Sequence, residues 1–324
     1  MPEDDPKRIF SVTRRANEFM EKQVAADRPF FMQVSHYAVH VSNHARKETI
    51  EKYRQIPHGK KVTQKDFEDP PRNSSIFAYA AMVEDLDTGV GSLLEKIEAL
   101  GIQENTYVIF TSDNGGAFRN NNPLRGGKAQ LWEGGIRVPT VVVGPGVKKG
   151  EICDVPIAGW DFYATINDLI GGDPLPQEYD GGSLRELFKK SNNGNVSRGT
   201  RELIFHFPWY GGTLPMSAIR DVDFKLVMNL HTQEVQLYNL IKDIGETTDL
   251  AAKMPEKTEQ LRSRLLAYLK EVDAEDIDDM FDARIRELER YIQREEQRAA
   301  PSEANIKRHN EALEGVRRAR FASE

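Results

Sequence analysis

Apolar residues recur along the chain at two spacings, and these divide it into helices and strands. Val12, Ala16, Phe19, Met20 and Val24 keep helical spacing between Ser11 and Ala26, which predicts a helix with Ser11 as N-cap. Arg28-Pro29 ends it, and Phe30-Phe31-Met32-Gln33-Val34-Ser35 reads as a buried strand running into His36-Tyr37-Ala38-Val39-His40. Residues 41–72, with Pro57, Gly59, Pro70 and Pro71, read as a long polar surface excursion. Ile76 to Leu100 carries the longest helical pattern, with Ala80, Val83, Leu86, Val90, Leu93, Leu94, Ile97 and Leu100 on one face and Gly101 as the closing glycine. Thr106–Thr111 is β-branched and aromatic, a strand that ends in Ser112-Asp113-Asn114-Gly115-Gly116. A glycine-rich loop follows, then a buried strand at Pro139–Gly144 and a helix from Asp161 to Ile170 closed by Gly171-Gly172.

Near-continuous apolar strands alternating with helices predict a mainly parallel sheet covered on both faces. The texture changes near residue 200. Leu203–Phe207, Ser217–Arg220 with Phe224–Met228, and Val235–Leu240 are short runs between turn signals, the pattern of an antiparallel meander, with a helix over Glu256–Val272 to pack it. From Glu271 onward Glu, Asp and Arg dominate, and the sparse Ile285, Leu288 and Ile292 predict solvated helices. The expected fold is therefore α/β, a mainly parallel sheet flanked by helices plus a small C-terminal antiparallel sheet with a packed helix. Its divisions are expected at residues 1–200, 201–272 and 273–324.

Composition narrows the function classes. The 324 residues are 39% hydrophobic and 29% charged, an ordinary globular balance, and no apolar run nears the ~18 residues of a membrane span. A net charge of -7 argues against general nucleic-acid binding. The single cysteine, Cys153, excludes an intrachain disulfide and reads as a small packed residue. No apolar segment follows the Met-Pro-Glu-Asp-Asp start, so the sequence as it stands is expected to carry no signal peptide, and its localisation stays open.

In open α/β sheets ligands sit beyond the carboxyl ends of the strands. Two segments put polar groups there: Ser35–His40, and Asp113-Asn114-Gly115-Gly116. Asp and Asn offer the hard oxygens that Ca²⁺ or Mg²⁺ prefers, although an Asx turn at a strand end uses the same residues. A third segment, Leu124-Arg125-Gly126-Gly127-Lys128, leads to Trp132-Glu133-Gly134-Gly135-Ile136-Arg137-Val138-Pro139. A lysine in a glycine loop is usually a solvated cation. Beside a strand-end Asp and His, it is a candidate for an anion site, since ammonium suits a sulfate or phosphate oxygen and imidazole can donate to the same group.

Phe30–His40, Thr111–Gly116 and Gly127–Pro139 together resemble the sulfatase family, in its arylsulfatase-A-like branch of the alkaline phosphatase superfamily. Asp180-Gly181-Gly182-Ser183-Leu184, Ser217-Ala218-Ile219-Arg220-Asp221 and Leu237-Tyr238-Asn239-Leu240 are similar to later landmarks of that family, and the resemblance spans roughly residues 10–270. It implies a calcium-dependent enzyme (Mg²⁺ being the other hard cation) with a formylglycine nucleophile, acting on sulfated small molecules or glycans. On the same resemblance, Asp113 and Asn114 match metal ligands, Lys128 the lysine on the sulfate ester, and His40 the histidine near the leaving oxygen. His36 competes for that last role, because Ser42 stands where the family has a proline two residues after the histidine. Arg137 is expected to pair with Glu133, and His206 either lines the substrate cleft or sits at the core edge. Tyr53, Phe67, Trp209 and Tyr210 are the aromatics expected to shape the pocket.

The departure is the nucleophile. The family's formylglycine arises in a Cys/Ser-x-Pro-x-Arg motif, which does not occur in this sequence, and Asp4-Asp5 match the family's paired aspartates only in spelling. The chain therefore reads as the C-terminal portion of a sulfatase, inactive alone, weak in Ca²⁺ binding and poorly soluble without a complementing N-terminal segment. Two alternatives remain: a non-catalytic sulfatase-like binding or assembly subunit, and a phosphodiesterase or phosphatase of the same superfamily.

Overall fold

The computed structural model describes residues 4–56, 76–117, 121–176, 178–209 and 214–321. They fall into two compact units, one of Met1–Val108 with Val143–Pro145 and one of Ile109–Val142 with Gly146–Glu324.

In the first unit, helix α1 (Ile9–Ala25) begins from Asp5 rather than from Ser11. Asp5 Oδ1 accepts the backbone N–H groups of Phe10 and Ser11 at 2.9 and 3.3 Å, while the Ser11 hydroxyl turns back to the Arg8 carbonyl. Helix α2 (Lys47–Gln55) occupies part of the stretch expected to be irregular. Its sequence has little apolar period, and a tertiary contact organises it instead. Asp85 of α3 (Ile76–Ala99), fully buried, accepts from Arg46 N, Arg46 Nε and Thr49 Oγ1 at 2.8, 2.9 and 2.9 Å. The buried residues of α3 include Phe77, Ala78, Ala81, Met82, Asp85 and Gly89, whereas Val83 and Leu94 of the expected face stand exposed. A helix apolar on most sides does not declare which side will be covered. Phe30–Ser35, expected as a buried strand, joins no ladder among the described residues, and Phe31 is 69% exposed.

Strands β1 (Val108–Thr111) and β2 (Thr140–Val143), all but Val108 and Val143 of them in the second unit, pair as a two-stranded sheet. Thr111, at the end of β1, bonds Thr140, at the start of β2, while Tyr107 lies against Gly144, so the strands run in opposite senses. Their cover is thinner than expected: Val141 and Val143 are 56% and 58% exposed. Helices α4 (Glu133–Ile136), α5 (Asp161–Leu169) and α6 (Arg185–Lys190) follow in order. Asp161 is a buried hub whose Oδ1 accepts Gly182 N at 3.0 Å and whose carboxylate pairs with Arg198 at 2.5 Å, which fixes the Asp180–Leu184 segment. Cys153, expected to be packed, is exposed, because residues 151–154 form no regular element that could cover it.

The C-terminal meander is as expected: β3 (Leu203–Phe207), β4 (Met216–Asp221), β5 (Phe224–Asn229) and β6 (Val235–Asn239) pair antiparallel in sequence order. Both of its faces are buried. Ile219, Leu226, Met228 and Leu237 pack on Leu261 and Leu265 of α7 (Pro255–Glu271), and the opposite residues Ala218 and Val227 pack on Leu131, with Trp132 and Ile136 beside them. The charged C-terminus forms α8 (Ile277–Glu296) and α9 (Glu303–Phe321), a hairpin with its own core of Met280, Phe281, Leu288, Ile292, Leu313 and Val316.

Candidate functional site

Strand β1 delivers Asp113 and Asn114 to a turn that backbone hydrogen bonds stitch to the glycine loop. Gly115 N donates to Gly135 O at 2.8 Å, Gly134 N to Arg125 O at 2.7 Å and Lys128 N to Gly116 O at 2.9 Å. Asn121 braces the same web, its Nδ2 donating to the Gly116 and Gly126 carbonyls at 2.8 and 2.9 Å. A side chain at Gly115 would strike the Gly134 carbonyl oxygen, so glycine is required there by close approach of two backbones. The web joins the Gly115–Gly116 backbone, which follows Asp113 and Asn114, to the backbone of Lys128, whose side chain is exposed.

Asp113 is exposed, and the Asn114 amide donates to its Oδ2 at 2.5 Å. The pair offers carboxylate and amide oxygens, a donor set that fits a hard divalent cation but makes up only part of the roughly six to eight oxygens Ca²⁺ takes. Among the described residues no group of three or more His, Cys, Asp and Glu side chains is placed to hold a metal.

The histidines differ in their bonding. In the first unit His40 is exposed, and its Nδ1 lies 2.8 Å from the Val41 carbonyl. A carbonyl only accepts, so Nδ1 carries the proton and Nε2 is left for exchange. His36 is half-buried, both ring nitrogens lack a hydrogen-bond partner among the described residues, and burial lowers its pKa. In the second unit His206 uses both nitrogens, Nδ1 with Ser217 Oγ and Nε2 with the Glu275 carbonyl, each at 2.7 Å, the bonding of a core-edge histidine. Of the expected pocket aromatics, Trp209 lies under the Arg284 guanidinium at 4.9 Å, and Phe67 and Tyr210 fall outside the described residues.

The sequence reading missed a buried ionic cluster behind the web. Glu133, whose Oε2 takes the expected partner Arg137 at 3.3 Å, also binds the fully buried Lys225 of β5 through Oε1 at 2.9 Å. Lys225 Nζ lies 2.9 Å from Glu246 as well, and Glu246 Oε2 accepts Glu133 N at 2.7 Å. Burial pushes the Glu133 carboxyl up, but Lys225, Arg220 and Arg137 outweigh it and hold the group below the usual range. At Glu246 burial prevails over Lys225 and raises the pKa. Arg125 completes the cluster, donating to Tyr238 Oη at 2.6 Å and the Glu246 carbonyl at 3.2 Å while stacking on Trp132. Strand alternation was the available signal, since it puts Lys225 on the same buried face as Val227.

The family model described as Sulfatase matches residues 11–172, half of the chain. The chain belongs to the sulfatase family. Its curated relatives include a sulfatase of Formosa agariphila, 35% identical over 73% of this chain and 44% of its own length. Another, an ulvan-active sulfatase of the same organism, is 28% identical over 87% of this chain and 55% of its own length. The chain thus spans about half the length of these sulfatases, or less. Among solved structures, Ps i-CgsB superposes with a TM-score of 0.67 at 26% identity, covering 80% of this chain and 54% of that one. These neighbours place the chain in the alkaline-phosphatase-like α/β fold.

Proposed function

We propose that the chain supplies the metal-loop and sulfate-contacting part of a sulfatase that hydrolyses aryl or carbohydrate sulfate esters. The observation that carries this reading is the backbone web joining the Asp113–Gly116 turn to Lys128. In this reading the Lys128 ammonium binds a sulfate oxygen, a charge-assisted contact. His40 is assigned to the leaving oxygen: as an imidazolium, with its Nδ1–H held by the Val41 carbonyl, it gives up the Nε2 proton and is left as the neutral Nδ1–H tautomer. His36 is the alternative for that role, and burial, which favours its neutral form, works against it as a proton donor. Asp113 and Asn114 would hold Ca²⁺, or Mg²⁺, which when bound stabilises charge on the sulfuryl oxygens. His206, committed at both nitrogens, keeps the strands together rather than touching substrate.

No residue of this chain is assigned as nucleophile, because a Cys/Ser-x-Pro-x-Arg segment does not occur in it. Turnover is then a property of this chain completed by a nucleophile-bearing segment. A sulfated glycan is the substrate class favoured by the relatives, since one is ulvan-active and Ps i-CgsB has been solved with k-i-k-neocarrahexaose. The test is a titration with inorganic sulfate, alongside aryl sulfate and aryl phosphate assays on the purified chain. Saturable sulfate binding that weakens at least about tenfold in Lys128→Ala is expected, in line with the ~1.5–3 kcal/mol of a charged hydrogen bond. No ester turnover is expected from the chain alone. Sulfate release by that chain, or sulfate binding indifferent to Lys128→Ala, refutes the assignment.

A further inference from the structure

We propose that Lys225 and Glu133 are positioning residues that hold the Lys128 loop in register with the Asp113–Asn114 turn. This rests on the sulfatase reading for its consequence and on the structure for its geometry. The C-terminal sheet contributes no residue to the proposed chemistry, yet its second face is built against the glycine loop. Lys225 projects from β5 into that face, fully buried, with one carboxylate on each side at 2.9 Å.

The path from there to the site is short and continuous. Glu133 is the first residue of α4, the next two are Gly134 and Gly135, and Gly135 O accepts the N–H of Gly115, the residue after Asn114. Glu246 holds the same end, its carboxylate accepting the Glu133 N–H, while its backbone carbonyl takes Arg125, three residues before Lys128. The ammonium thus ties down the Glu133 border of the loop through both carboxylates, and Glu246 reaches the Arg125 border through its own backbone. Supporting contacts of this kind orient the groups that touch an ion without touching it themselves. A buried ammonium between two carboxylates suits that task, because losing either partner leaves a charge unpaired and so penalises every displaced arrangement.

The experiment uses the whole 324-residue chain as wild type, Glu133→Gln, Lys225→Met and Lys225→Arg, with amide hydrogen exchange and inorganic sulfate titration as readouts. In Glu133→Gln, exchange at the Gly115, Lys128 and Gly134 amides accelerates while the β4–β5 ladder amides keep wild-type rates. Sulfate affinity falls about tenfold, the low end of what such supporting contacts are worth at bound-ion sites. Lys225→Met gives the larger effect of the same pattern, and Lys225→Arg recovers most of the affinity. Should Lys225→Met fail to fold, Glu133→Gln decides alone. Acceleration of web and ladder amides together overturns the proposal, as does a selectively loosened web that binds sulfate as well as wild type. If wild type binds no sulfate, the sulfatase reading fails separately, and the exchange pattern then decides for or against the clamp.

Discussion

Gly115→Ala puts the rigidity of the web to a quantitative test. An added Cβ at residue 115 would lie 1.9 Å from Gly134 O and 2.7 Å from its carbonyl carbon, where ordinary contact begins near 3.4 Å. The overlap of about 1.5 Å is with backbone on both sides, and that backbone is held by the Gly134 N to Arg125 O bond of 2.7 Å, so no flexible side-chain end can give way. Relief requires the Asp113–Gly116 turn to part from Gly134–Gly135. That breaks the 2.8 Å bond from Gly115 N to Gly135 O and leaves buried polar groups unpaired, at about 1–3 kcal/mol, with a residual overpacking cost of similar size. Reduced freedom of the unfolded chain returns ~0.4–1 kcal/mol. A net loss of about 3 kcal/mol is expected, read from urea unfolding followed by far-UV circular dichroism. Gly315→Ala in α9, where nothing lies within 4 Å, is the control and should gain up to ~1 kcal/mol from helix propensity. If Gly115→Ala falls within about 0.5 kcal/mol of wild type, the web is pliable, and the argument that it presets Asp113 against Lys128 fails.

Further outcomes follow from burial and charge. Burial lowers the His36 pKa in the folded chain, so below about 6.5 the unfolded state binds more protons, and stability falls as pH drops from there. His36→Gln should flatten that stretch of a stability–pH curve; an unchanged slope means the ring is solvated. Phe281→Ala empties the centre of the α8–α9 core and should cost the hairpin about 3–5 kcal/mol, seen as faster proteolysis within α9 while the β4–β5 amides stay protected. Leu265→Ala removes a fully buried side chain between α7 and the sheet and should cost ~2–5 kcal/mol of urea-measured stability.

Local pattern and remote pairing differ in how far the sequence exposes them. The bounds of β3 to β6 and of α3, α5 and α7 follow, to within a residue or so, from spacing and turn residues, which act over a few positions, as does the end of α1 but not its start at Ile9. Helix α2 does not, because Asp85, more than thirty residues away, organises its start. The covered side of α3 is equally remote information, and so is the bareness of Phe31 and Val141, which depends on what lies alongside rather than on their own character. At the candidate site the motif residues Asp113, Asn114 and Lys128 were visible as types at a spacing. What was not visible is that Glu133 is bound by Lys225 and Glu246, about 92 and 113 positions further on. A lysine inside an apolar strand has no local explanation, and that mismatch is itself the clue.

A strand covered on both sides divides its side chains between two tasks. In β5, Leu226 and Met228 serve the helix side, while Lys225 and Val227 serve the glycine loop. Inserting a single residue at the start of β5 would exchange the two sets, turning an ammonium toward Leu261 and Leu265 and a leucine toward Glu133. Frame shifts of one position at this strand should therefore be far less tolerated than changes of side chain along it.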